Sequence, residues 1–182
     1  MSEAEADLFR AFVERSQGYF EYGIGGSTFY ASSVVKGPVR AVDSDMVWIA
    51  SAQASIGASP YERKLIHVDI GPTKEWGQPV SMDAKDRFPD YYRAIIDNAD
   101  QIDLCLVDGR FRVACFLQAL LTLPEDAIIG IHDYRGRTNY HSVETFGRPI
   151  AEREDMTFFV RRSDASHKDI QAALQQFAYN YA

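Results

Sequence analysis

The sequence predicts an α/β fold, a mostly parallel seven-stranded sheet with helices on both faces. Two observations predict it. Short apolar runs of strand length alternate with segments of helical apolar spacing along the chain, and parallel neighbours require crossovers of that kind, which are right-handed. The 182 residues are 46% apolar and 25% charged, which suits a single folded domain over 1–182 with enough apolar surface to bury. No internal repeat or low-complexity tract competes with this reading.

Residues 3–17 open as a helix. Leu8, Phe9, Phe12 and Val13 fall at helical spacing, and acids occupy the first turn, where they suit the helix dipole. A strand at 19–22 is broken by Gly23-Ile24-Gly25-Gly26, and Ser27-Thr28 caps a helix running to about residue 35. Gly37-Pro38 precedes a strand at 39–42, and Asp43-Ser44-Asp45 caps a helix carrying Met46, Val47, Ile49 and Ala50, which completes a β-α-β unit. The alternation continues with a strand at 65–68, a long polar loop, a helix at 89–99, a strand at 102–107 and a helix at 112–123. A strand at 127–131, a short helix at 140–146 and a hairpin with its clearest strand at 156–160 follow. In the last helix Ile170, Leu174, Phe177 and Tyr181 make one apolar stripe.

With 19 basic and 26 acidic residues the net charge is -7. No overall field draws the molecule to a polyanion, so nucleic acid and anionic membrane are not expected partners. Cys105 and Cys115 sit in apolar runs without CxxC spacing or a neighbouring His, and read as core thiols of a cytoplasmic protein. Glu3, Glu5 and Asp7 stand where an export signal needs basic residues, and no apolar stretch approaches the roughly 20 residues that span a bilayer.

In parallel sheets ligands bind beyond the carboxyl ends of the strands, where strand order reverses. Those ends carry Glu21, Asp43, Asp69, Asp108 and Asp133, one acid for each of the first five strands. If they converge they repel, and a cationic ligand, hydroxyl and amine donors, or a metal offset the cost. The glycine turn fails as a dinucleotide fingerprint because Thr28 stands at the third glycine of G-x-G-x-x-G, and Glu21 would face a pyrophosphate. A nicotinamide-dependent oxidoreductase is therefore the rival reading. A ligand bearing an ammonium, a sulfonium and ribose hydroxyls suits these residues better. Asp43 lies 22 residues beyond Glu21, near the spacing of about 20 for a ribose-binding acid.

The run Glu21-Tyr22-Gly23-Ile24-Gly25-Gly26-Ser27 resembles the first motif of class I S-adenosylmethionine-dependent methyltransferases, with Ser27 at the usual third glycine. The resemblance extends in element order over nearly the whole chain and implies the Rossmann-like fold of that family. It implies S-adenosylmethionine as cofactor, held by Glu21, Gly23, Gly25, Ser27, the ribose acid Asp43 and, near the adenine, Asp69. Leu106-Val107-Asp108-Gly109 looks like the fourth motif, beside the methyl donor and the acceptor. A member of the family that has lost catalysis is the second rival.

The acceptor is expected at Asp108-Gly109-Arg110-Phe111-Arg112 and at His132-Asp133-Tyr134-Arg135-Gly136-Arg137. Asp108, His132 and Asp133 are the candidate catalytic groups, with Asp108 or His132 as a base if a hydroxyl is methylated. Arg110, Tyr134 and Trp76 are the candidate acceptor contacts, Trp76 from a lid-like loop over 71–79. If the arginines face the cleft they favour a small acceptor with a carboxylate or phosphate. Asp108 and Asp133 also resemble the metal-binding aspartates of small-molecule O-methyltransferases, but Tyr134 replaces the following asparagine ligand and no metal is expected. With no separate substrate domain, specificity is left to these loops, the first helix or a second copy in a homodimer.

Overall fold

The computed structural model describes residues 1–181. The chain runs α1 (Glu3–Val13), β1 (Tyr19–Tyr22), α2 (Gly26–Val34), β2 (Val39–Asp43), α3 (Met46–Ser55), β3 (Arg63–His67) and a small hairpin of β4 (Thr73–Lys74) and β5 (Gln78–Pro79). It continues through α4 (Phe88–Arg93), β6 (Leu104–Val107), α5 (Arg112–Thr122), β7 (Ile128–Ile131), β8 (Gly147–Arg153), β9 (Met156–Arg161) and α6 (His167–Phe177). Seven strands form one sheet in the order β3-β2-β1-β6-β7-β9-β8, and β4 and β5 pair only with each other. Strands β1, β2, β3, β6 and β7 are parallel, whereas β9 runs antiparallel to both β7 and β8.

The order reverses between β1 and β6, and the register fixes what meets there. Tyr22 pairs with both Val42 and Val107, and Val107 pairs with Ile131. The next residues, Gly23, Asp43, Asp108 and His132, therefore leave the sheet side by side on one edge. Alternation along β1 sends Tyr19 toward α1 and α2, where it packs with Phe9, Val13, Ala31, Leu104 and Phe158. Phe20 and Tyr22 face the opposite layer, packed with Phe88 and Tyr91 of α4, Phe116 of α5 and Ile170 of α6. The result is the expected three-layer α/β sandwich. Among the described residues no helix is long and apolar enough to cross a membrane.

Several boundaries differ from the sequence expectation for local reasons. The helix expected over 89–99 stops at Arg93 and resumes as a 3₁₀ turn at Ile96–Asn98, where the Asn98 amide donates to the Ala94 carbonyl at 2.6 Å and competes with the helical ladder. Strand β3 begins two residues earlier than expected, at Arg63. Its guanidinium donates to the carbonyls of Ser32, Val35 and Gly37 at the end of α2, so a charged residue is held in the sheet by a helix terminus. The helix expected near 140–146 is a 3₁₀ segment over Thr138–Thr145, and Tyr181 lies beyond α6 while still packing on Phe88 and Phe111.

Close backbone contact holds the reversal point. Gly23 has φ +95°, and a Cβ there would lie 2.8 Å from the Gly109 nitrogen and 2.9 Å from the Asp108 carbonyl carbon. Gly23→Ala combines a left-handed backbone with a clash against main chain that cannot rotate away, and is expected to cost about 2–4 kcal/mol. Chemical denaturation checks this, and a loss below about 1 kcal/mol would mean that the two loops are not locked together.

Candidate functional site

The β1 half of the cleft is built around a buried acid. Glu21 has no exposed surface and accepts hydrogen bonds from the hydroxyls of Ser27 and Thr28 in the first turn of α2. Thr28 in turn accepts from the Gly25 amide at 3.0 Å. Burial is the main cause that pushes the Glu21 carboxyl up to about 8, against the two hydroxyl donors that favour the anion. The residue thus anchors the start of α2 from beneath, and Ser27 is spent on the same task. Above it, Gly25 has an extended backbone (φ −166°) that any residue adopts, and a Cβ at Gly25 or Gly26 would meet no atom within 4 Å. The chain itself does not require glycine at these two positions.

Asp43 closes the other side of the turn. Its carboxylate accepts from the amides of Ile24 at 2.9 Å and Asp45 at 3.0 Å, while burial raises its pKa. Asp45 caps α3 by accepting from Val47 and Trp48. Asp69 is exposed. It accepts from the Gly71 amide, which lowers its pKa most, and pairs with Arg87, so it shapes the entry to the following segment. That segment is the β4–β5 hairpin rather than a bare loop. Trp76 stands at its tip in a left-handed conformation, 84% exposed. A Cβ at the neighbouring Gly77 would lie 3.4 Å from the Ser44 hydroxyl and 4.0 Å from Arg110 Cγ. The hairpin therefore spans the mouth between the β2 and β6 ends. Met46, Val47 and Trp48 are exposed on the adjoining start of α3.

The β6 and β7 ends form a charged lattice around Arg112. This buried guanidinium contacts Asp108 Oδ1 and Asp133 Oδ2 at 3.1 Å each and donates to the carbonyls of Asp108, Gly109 and His132. Arg137 also pairs with Asp133 at 2.9 Å, and both arginines lie over the Tyr140 ring. His132 donates from Nδ1 to Asp108 at 3.0 Å and from Nε2 to Glu5 of α1 at 3.3 Å. Glu5 is itself buried and accepts from the amides of Ser2 at 2.7 Å and Asp155 at 2.9 Å. Phe111 and Asp133, with φ of 56° and 55°, turn the chain sharply at the two strand ends.

A carboxylate on each nitrogen favours the imidazolium form of His132. Burial opposes the cation, but Asp108, Asp133 and Glu5 together raise its pKa. Burial likewise opposes the anions of Asp108 and Glu5, yet His132 with Arg112, and the amides of Ser2 and Asp155, hold both below their usual range. Asp108, His132 and Asp133 could together hold a metal by distance, but the Arg112 cation already bridges the two carboxylates. The expected acid, base and second acid are thus brought together, with both His132 nitrogens and Asp108 Oδ1 engaged within the lattice. Tyr134 is not at the mouth: it is a core residue, packed on His141 and Phe159, with its hydroxyl donating to Glu144 at 2.7 Å. Arg110 is buried beside the hairpin. Sequence reasoning missed Glu5, 127 residues from its partner, and missed that Arg112 is the bridging cation. The only signal was the Ser2-x-x-Glu5 capping box, which explains Glu5 fully without His132.

This fold is shared with known proteins. The chain superposes on a methyltransferase-like protein from Silicibacter pomeroyi with a TM-score of 0.85 and 31% identity, over 99% of this chain and 96% of that one. It therefore belongs to the class I S-adenosylmethionine-dependent methyltransferase family, whose cofactor is S-adenosylmethionine. More distant solved structures share the fold. The N-methyltransferase NodS from Bradyrhizobium japonicum matches with TM-score 0.54 and 12% identity, over 88% of this chain and 96% of that one. A TehB-like S-adenosylmethionine-dependent methyltransferase from Corynebacterium glutamicum matches with TM-score 0.51 and 15% identity, over 87% and 88%. No protein-family model matches the sequence, and no curated protein does.

The shifted groups give the domain a pH profile. The raised His132 contributes stability fully below its ordinary 6.5 and loses it as pH rises through the folded value. Glu21, raised to about 8, acts in the same direction from 4.5 upward. Glu5 and Asp108 contribute above their ordinary values and lose it as pH falls through the folded ones. The thermal unfolding midpoint is expected to fall progressively from pH 6.5 to pH 9, and Glu21→Gln is expected to shallow that decline without loss of the fold. An equally steep decline in the variant would remove Glu21 from the profile.

Proposed function

We propose that this chain is a methyltransferase that transfers a methyl group from S-adenosylmethionine to an oxygen of a small molecule. The observation that carries the cofactor assignment is the bare turn at Gly25-Gly26. A Cβ there fits the protein without contact, so glycine is explained by close approach of a ligand over the turn, at the sheet edge where ligands bind this topology. Gly23, Ile24, Gly25 and Gly26 with Asp43 would hold the cofactor. Glu21, Ser27 and Thr28 keep that turn rigid from below. Asp69, turned outward to Arg87, supports the hairpin.

S-adenosylmethionine supplies an electrophilic methyl group on a sulfonium. The chain's part is to orient the acceptor in line and to exclude water. His132 offers no free nitrogen, and Asp108 is neutralised by His132 and Arg112. Neither is a base in waiting; both are positioning residues that fix the β6 and β7 ends beside the acceptor. The surplus of arginine over unpaired carboxylate there disfavours an ammonium acceptor and favours an oxygen that is already ionised or readily becomes so.

Calorimetric titration tests the reading. The protein is expected to bind S-adenosylhomocysteine and not NAD or NADP. Gly25→Val is expected to weaken S-adenosylhomocysteine by at least about 30-fold, roughly 2 kcal/mol, while costing about 1 kcal/mol of stability at the helix N-cap. Unchanged binding in a folded Gly25→Val protein would mean that the turn is only a connection between elements.

A further inference from the structure

We propose that Arg110 is the anchor for a carboxylate on the methyl acceptor. This rests on the methyltransferase reading and specifies the acceptor's class. Arg110 follows the β6 end by three residues and is only 9% exposed. Its neighbours in sequence and space are satisfied: Arg112 bridges Asp108 and Asp133, and Arg137 pairs with Asp133. Arg110 makes no side-chain hydrogen bond or ion pair with any described residue. Instead it is surrounded by Tyr91, Tyr140 and the like charges of Arg112 and Arg137, with Gly77 of the hairpin against its stem.

A largely buried cation without a counter-ion is costly even where its nitrogens still reach solvent, and the cost is reduced when an anion arrives. The charge of the surroundings says how much anion is needed. Arg112 and Arg137 are paired with Asp108 and Asp133, which leaves Arg110 as the unpaired guanidinium of this group. A singly charged carboxylate pairs with that guanidinium one to one, and the planar group presents a matching fork of donors. A phosphate dianion brings a second charge, and Arg112 and Arg137 are already engaged with carboxylates. Trp76, next to Gly77 and 84% exposed, offers an apolar surface to the body of such an acceptor.

Thermal unfolding of S-adenosylhomocysteine-saturated protein tests this, with acetate, benzoate, phenyl phosphate and neutral benzamide added at matched ionic strength. Benzoate or acetate is expected to raise the midpoint of the native protein, benzamide is not, and phenyl phosphate is expected to do less than benzoate. Without any probe, Arg110→Met is expected to unfold at the same or a higher temperature, because it removes an unpaired buried charge. It is also expected to lose the carboxylate response, which Arg110→Lys keeps in part. Equal responses of native and Arg110→Met protein, including none in both, would overturn the anchor, as would a benzamide effect equal to that of benzoate. A phenyl phosphate effect larger than that of benzoate would overturn the carboxylate assignment. S-adenosylhomocysteine affinity, titrated separately in each protein, divides the failures. If the native protein does not bind it, the methyltransferase reading fails; if it binds and no carboxylate responds through Arg110, only the anchor fails.

Discussion

The guanidinium of Arg112 holds together the ends of β6 and β7. Parallel strands β6 and β7 end side by side, each with an acid and an exposed run of carbonyls, and two carboxylates at that distance repel. Arg112, the first residue of α5, answers both problems at once: it pairs with Asp108 and Asp133 and takes three strand-end carbonyls. Because it is buried and fully engaged, the strand ends cannot shift independently. His132 then extends the lattice to Glu5, which ties α1 to the same edge. The first helix is thereby part of the site's framework as well as a cover for the sheet.

The two halves of the cleft solve opposite electrostatic problems. On the β1 and β2 side the acids are turned inward, Glu21 onto the hydroxyls of α2 and Asp43 onto backbone amides, and they shape the main chain into a cradle. On the β6 and β7 side the acids are neutralised by arginines, and one cation, Arg110, is left over. The β4–β5 hairpin lies across both, with Gly77 between Ser44 and Arg110.

Much of the fold was legible because its signals are local. Apolar runs of four or five residues followed by glycine or a capping acid mark β1, β2, β6 and β7 within a residue or two. What escaped depends on contacts distant in sequence. Arg63 enters β3 only because α2 ends where its guanidinium can reach three carbonyls. The strand-end acids were visible, but whether a carboxylate faces a ligand or a neighbouring side chain is decided by partners such as Ser27, Arg87 and Arg112. Tyr134 illustrates the same limit: it follows a strand-end acid, yet the left-handed turn at Asp133 directs it into the core.

The central claim is that cofactor binding occurs on the Gly23–Gly26 turn and at Asp43, at the reversal between β1 and β6. Amide hydrogen exchange with and without S-adenosylhomocysteine tests it most directly, because it reads the backbone segment by segment. Protection is expected to rise in the turn over residues 23–28, at 43–48 and at 108–110, and to stay unchanged on β8 and β9. Protection confined to another part of the surface, or no change despite saturating ligand, would contradict the account.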